Sequence, residues 1–350
     1  MHRQPEETAM TLRTVSTRPT PHPSSRSTAA RPARRRALLA GFALAASLAW
    51  PAAAQDKPAL KILVGFPPGG SADQIARLVG EAIKDDFASV VVDNKPGAGG
   101  RLALNLTKQA KPDGQTVVVL PSGPMVLFPH VYKKLEYDAV KDFTPVSLLA
   151  RFQFGVVAGP AAPVKNVAEM VARAKADPRG ATYGTPGAGT LPHFMGVLLE
   201  QSTGAAFTHV PFQGGAPANT ALLGGHIAYK FDVVSETAPL HKDGKVRIIA
   251  VTGERRDPQV PEVPTLKEQG IDMVASAWFA MYAPAGLAPE VLARLEGAVR
   301  RAVQSPALNR RLTELGYEPV GSTSADLAAA QRADLARWEK PIKATGVQLD

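Results

Sequence analysis

The stretch GFPPGGSAD, Gly65–Asp73, decides how this chain is read. It ends the apolar run Lys61–Phe66 and leads into Ile75, Leu78, Val79, Ala82 and Ile83, whose offsets of three, four, seven and eight mark one face of a helix. A strand therefore turns directly into a helix. Pro67 and Pro68 stiffen the entry, Gly69 and Gly70 let a guest approach the backbone closely, and Ser71 is expected to cap the helix. First-turn N–H groups lack partners inside a helix and lie at the positive end of its dipole, so such a turn suits an anion. An ordinary turn with no guest is the competing reading. Two nucleotide-binding patterns are excluded: Ser71 stands where a Walker loop needs lysine, and the G-x-G-x-x-G spacing is missing.

Outward from this turn the pattern alternates. Val90–Asp93 is a strand ended by Asn94–Gly100, a helix is expected over Arg101–Ala110, and Thr116–Leu120 is a strand delivering Ser122 and Gly123 at its carboxyl end. Strand, helix, strand, helix, strand is the grammar of a parallel sheet with covering helices, whose ligands sit beyond the strands' carboxyl ends. Two apolar runs, Val146–Leu149 and Phe154–Ala158, are separated by Arg151 and Gln153 and mark a crossing into a second α/β unit.

That unit repeats the opening design. In YGTPGAGTLPH, Tyr183–His193, a short strand yields to Gly184, Thr185, Gly187 and Gly189, Thr190 is placed to cap, and Pro192 suits a first helical turn. Val210–Gly215, with Phe212 and Gly214, precedes another helix, and Asp232 ends a strand. Ala277–Tyr282 is the return crossing, and Thr323 with Asp326 forms a capping box before a terminal helix. Two units joined by two crossings imply a cleft, with one helix N-terminus from each able to grip a small carboxylate. His193 in a first turn reads as a capping or packing residue as readily as a ligand, Phe212 as core, and Asp232 as an acceptor for a ligand hydroxyl or ammonium or as an organiser of loop amides.

The leader carries its own address. Arg34–Arg36, the apolar run Ala37–Trp50 and Pro51–Ala54 form an export signal with cleavage expected after Ala54, and Arg35-Arg36 also fits a loose twin-arginine pattern. An uncleaved membrane anchor and a start at Met10 are the alternatives. The net charge of +9 is mostly leader: residues 1–54 hold eight Arg and two Glu, leaving 32 basic and 29 acidic side chains, too even for a nucleic-acid binder. With no Cys there is no disulfide, thiolate metal site or Cys nucleophile. No G-x-S-x-G elbow, H-E-x-x-H or metal-spaced cluster occurs, and the five histidines after the leader, at 130, 193, 209, 226 and 241, are scattered. The reading therefore carries no cofactor, no metal and no catalytic residue.

Taken in order, GFPPGGSAD, NKPGAGG, PDGQTVVVLPSG, YKKLEYDAVKDFTPVSLLA, YGTPGAGTLPH, HVPFQGGAPA, LLGGHIAYKFD, GKVRIIAVTGERR, VPEVPTLKEQG and FAMYAPAGLAPE resemble the substrate-binding receptors of tripartite tricarboxylate transporters, also called Bug proteins, from about Lys61 to the C-terminus. The resemblance implies an α/β, two-domain periplasmic binding protein of type II with its ligand cleft between domains. Residues 1–54 would be leader, 55–155 with 276–350 the first domain, and 156–275 the second. It also implies a monomeric, non-enzymatic receptor that hands a carboxylated molecule to membrane permease subunits. In such receptors backbone groups and waters hold the ligand carboxylate, between the loops matched here by Phe66, Pro67, Pro68, Gly69, Gly70, Ser71 and Asp73 and by Gly184, Thr185, Gly187, Gly189 and Thr190. Ser122, Gly123, His193, Phe212, Gly214 and Asp232 match further cleft positions. Departures at Pro124–Leu127, Pro186, Phe212-Gln213 and Val233–Ser235 imply a drier pocket and a ligand with one or two carboxylates on an apolar or aromatic body. An enzyme acting on an organic acid in the same cleft, and a ligand sensor docking on a membrane kinase, are the competing functions.

Overall fold

The computed structural model describes residues 57–350. The export signal, its cleavage site, the membrane-anchor alternative and the start at Met10 fall outside these residues. Among the described residues no helix is long and apolar enough to cross a membrane.

In chain order, β1 (Ala59–Val64) feeds α1 (Ser71–Ala82), β2 (Ser89–Asn94) feeds α2 (Arg101–Lys108), and β3 (Thr116–Pro121) feeds the short helices α3 (Gly123–Val126) and α4 (Phe128–Val131). The long strand β4 (Phe143–Ala158) leads to α5 (Val167–Ala176), β5 (Thr182–Thr185), α6 (Leu191–Thr203), β6 (Thr208–Pro211), α7 (Gly215–Leu223), β7 (Tyr229–Val233), α8 (Val234–Lys242) and β8 (Arg247–Val251). Then β9 (Ser276–Pro284) returns, followed by α9 (Pro289–Gln304), α10 (Pro306–Glu314), β10 (Glu318–Pro319) and α11 (Ser324–Ala344). The expected capping box is present: Thr323 accepts from the Asp326 amide, and Asp326 accepts from the Thr323 amide.

The strands run in the order β2-β1-β3-β9-β4-β7-β5-β6, with β8 and β10 also paired to β4. Strands β1, β2 and β3 are parallel, as are β5, β6 and β7, in line with strand–helix–strand connections. Strand β9 runs antiparallel between β3 and β4, so the sheet is mixed where simple alternation predicts a parallel one. The return segment causes this: it follows β8, which pairs with the far half of β4, and inserts between β3 and β4 in the opposite direction.

The crossing expected between the two apolar runs takes a form that the residue pattern did not specify. The two apolar runs Val146–Leu149 and Phe154–Ala158 belong to one sixteen-residue strand, β4, which changes partners midway. Residues 143–153 pair with β9, whereas Phe154–Ala158 pair with β7 and β8. Arg151 and Gln153 do not break it because each has a place to go: Arg151 is exposed, and the Gln153 side chain accepts from the Gly253 amide at 2.7 Å. The core is continuous through this strand. Val117–Leu120 of β3, Trp278–Tyr282 of β9 and Phe231 of β7 are all almost fully buried, which fixes where the loops at the strand ends converge.

Candidate functional site

At the end of β1 the backbone of Gly65 lies against Gly100. A Cβ on Gly65 would stand 2.5 Å from the Gly100 Cα, so only glycine permits the two loops to touch. Asn94 ties them further, donating to the Phe66 carbonyl and to Asp73, each at 3.0 Å. Asp73 also accepts from the Gly69 amide at 3.0 Å and from Arg77 at 2.9 Å. Partial burial works against its ionisation, but Arg77, the Gly69 amide and Asn94 hold its carboxyl below the usual carboxylate range. Asp73 thus rigidifies the turn from behind.

Ser71 does not cap α1. Gly70 occupies the N-cap position and no side chain caps the helix, so Ser71 is its first residue and presents its amide forward. That amide donates at 2.8 Å to Oε1 of Glu236, a residue of α8, which follows β7. Thr190 does hold the N-cap position of α6, yet its hydroxyl donates to the Gly187 carbonyl at 2.7 Å and accepts from no helix amide. Neither helix is capped by the side chain of its own N-cap residue.

Between them lies a partly open cavity of about 50 Å³. The starts of three helices line it: Gly70–Ala72 of α1, Thr190–Pro192 of α6 and Gly214–Ala216 of α7. Phe66, Pro67, Phe152, Phe154, Pro186, Val233 and Phe279 make the rest of the wall mainly apolar, and Asp232 and Glu236 are its acidic side chains. Of the residues singled out from sequence, Phe66, Pro67, Gly70, Ser71, Gly123, Thr190, Gly214 and Asp232 face this cavity.

The others stand behind it. Pro68 and Gly69 are exposed, and the buried Ser122 donates its amide to the Trp278 carbonyl at 2.8 Å. Phe212 packs on Gly184 from the lobe's own side. Thr185 bonds to the Gly187 carbonyl at 3.1 Å and to His209 Nε2 at 2.7 Å. The Gly189 amide donates to His193 Nδ1 at 3.1 Å, and the His193 and His209 rings stack 3.9 Å apart. Burial pushes His193 down to about 4. Burial, with the neighbouring His193, pushes His209 down to about 3.

Sequence reasoning singled out Asp232 but missed Glu236, which lines the cavity beside it, and Lys230, which lies behind both. Lys230 Nζ, with no exposure, lies 2.8 Å from Asp232 Oδ2, 3.9 Å from Glu236 Oε2 and 2.8 Å from Asn219 Oδ1. Asp232 Oδ1 accepts from the Val233 amide at 2.8 Å, whereas Oδ2 has no aligned hydrogen-bond donor despite its nearness to Lys230. Burial, followed by repulsion from Asp232, holds the Glu236 carboxyl above its ordinary value, with Lys230 and the Ser71 amide working the other way. The available signal was Lys230 itself: alternation places it on the face of Asp232, and a lysine inside a buried strand needs a partner.

Gly215 fits tightly against this group. An added Cβ would lie 1.8 Å from Glu236 Oε2 and 2.4 Å from Asp232 Oδ2. Gly215→Ala should therefore drive both carboxylates into the cavity and weaken ligand binding by roughly tenfold or more, a loss of about 1.4 kcal/mol. Titration calorimetry on the variant checks this; unchanged affinity would mean the carboxylates can retreat elsewhere.

A family model described as "Tripartite tricarboxylate transporter family receptor" matches residues 75–347. The chain belongs to this family. It is 30% identical over 318 residues to Protein BugT of Bordetella pertussis, covering 89% of this chain and 98% of that protein. It is similar in structure to an R. palustris protein solved with adipate, at TM-score 0.80 and 30% identity, covering 85% of this chain and 99% of the other. MatC from Rhodopseudomonas palustris with bound malate matches at TM-score 0.77 and 31% identity, covering 81% and 99%. The chain is thus a solute-binding receptor of the Bug type, with the two-lobed fold of periplasmic binding proteins.

Proposed function

We propose that this chain captures a small organic acid in the periplasm, encloses it between residues 55–155 with 276–350 on one side and 156–275 on the other, and delivers it unchanged to the membrane subunits of a tripartite tricarboxylate-type transporter. The observation that carries this reading is the convergence of three helix N-termini on one partly open cavity that no arginine lines. Converging main-chain amides hold a carboxylate without the geometric demands of a guanidinium fork. The change of partners within β4 between Gln153 and Phe154 supports the lobe boundaries. The adipate and malate bound by related structures support a carboxylate ligand.

The wall around the amides narrows the ligand class. Four phenylalanines and several prolines favour an apolar or aromatic body behind the acid group. Glycine and phenylalanine positions from the sequence that stand behind the cavity act by shaping the loops.

Protein stripped of ligand by unfolding and refolding is titrated calorimetrically with aliphatic and aromatic mono- and diacids and with citrate, and each acid is recovered and analysed. Micromolar or tighter binding of an acid that returns unchanged is expected. Turnover of the acid would make the chain an enzyme, and preference for citrate over every aromatic acid would overturn the dry-pocket reading.

A further inference from the structure

The α1 N-terminus is already taken. Glu236 comes from α8, 165 residues away in the chain, yet its Oε1 accepts the Ser71 amide of α1 at 2.8 Å, while its Oε2 lies 3.9 Å from Lys230. Its side chain is only 10% exposed, and it lines the cavity alongside Asp232. A carboxylate on a first-turn amide is what a bound acid would supply there. The chain thus fills one of its three anion seats with a group of its own. Nearby, Ser235 and Tyr317 bond at 2.8 Å and Tyr317 donates to Gln74 at 3.2 Å, so α8 is held against α1 on this side.

Charge makes the consequence definite. Lys230 faces both Asp232 and Glu236, so this end of the cavity holds two carboxylates against one ammonium. A ligand carboxylate entering here would meet an occupied amide and an unbalanced negative charge in a place with little water to screen it. The α7 start faces the same pair, since Gly215 packs directly against Glu236 Oε2 and Asp232 Oδ2, whereas the hydrogen bonds at the α6 start, among the described residues, involve no carboxylate. We propose that Glu236 is a specificity-determining residue, a resident anion that lets the cavity accept one ligand carboxylate and reject a second, selecting monoacids over diacids of the same length.

This inference rests on the carboxylate reading given above, and its test separates the two. Wild type, Glu236→Gln and Glu236→Ser are titrated at pH 7.5 with matched pairs: hexanoate and adipate, benzoate and terephthalate, butyrate and succinate. Glu236→Gln keeps an oxygen for the Ser71 amide and removes one unbalanced buried charge, so it should melt no lower than wild type. Glu236→Ser frees the amide outright and tests the same point if glutamine disturbs the fold.

Wild type should bind the monoacid of at least one pair at least thirtyfold tighter than its diacid. Both variants should cut that ratio at least tenfold, chiefly by gaining affinity for the diacid. A wild type that prefers the diacid, or a ratio that both variants leave within twofold, would overturn the role of Glu236 alone. Failure of every acid to bind to all three proteins would overturn the carboxylate reading and this inference with it.

Discussion

Lys230→Met should cost about 3–5 kcal/mol of stability at neutral pH, the usual loss when one partner of a buried ion pair is removed. The methionine fits the space, but Asp232 and Glu236 would remain buried with no cation between them, Asn219 Oδ1 would lose its donor, and the two carboxylates would repel one another. The loss should depend on pH in a definite sense. A carboxyl whose folded-state pKa is raised binds a proton more readily folded than unfolded, so its penalty is present at high pH and fades as pH falls through the raised value. Burial and Asp232 already push Glu236 upward in the native protein, and removing Lys230 deletes the main opposing charge. Urea unfolding of the variant at pH 8 and pH 5 should therefore show a deficit that shrinks at the lower pH, and Lys230→Met combined with Glu236→Gln should recover part of it at pH 8. An equal deficit at both pH values would assign the loss to packing.

The stacked histidines produce the opposite slope. His193 and His209 are held neutral, with folded-state values near 4 and 3 against an unfolded value of 6.5. The unfolded chain therefore takes up protons first as the solution is acidified. Their contribution is fully present above about pH 6.5 and is lost as pH falls towards 4, by about 3 kcal/mol for His193 alone. The loop would give way with them, because a protonated His193 Nδ1 cannot accept the Gly189 amide and a protonated His209 adds a second charge 3.9 Å from the first ring. Thermal melts from pH 7.5 to 4.5 should show a steep acid decline that flattens in the variant His193→Asn/His209→Gln, even if that variant starts lower. An undiminished decline in the variant would place the acid sensitivity elsewhere.

These two groups illustrate how far residue patterns reach. The α1 and α6 turns could be read directly, because strand alternation, paired glycines and a following apolar face are local signals that need no neighbour to interpret them. The capping box at Thr323 was legible for the same reason. Ser71 and Thr190 were assigned as caps on side-chain type, but the cap position is set by the backbone dihedrals of one residue, and at α1 Gly70 takes it. His193 and His209 lie sixteen residues apart in a pattern that gives no hint of stacking, since α6 intervenes between β5 and β6 and only the parallel pairing of these strands brings the rings together.

The sequence by itself determined the alternation of strands and helices, the two glycine-bearing turns and the family, since each is written in short-range periodicity or in ordered motifs. Which strand lies beside which was decided only by the tertiary structure. So was the fact that Glu236 crosses to the Ser71 amide over a separation of 165 residues. The physical reason is that a buried charge chooses its partner by distance and desolvation in three dimensions, and neither quantity has a period along the chain.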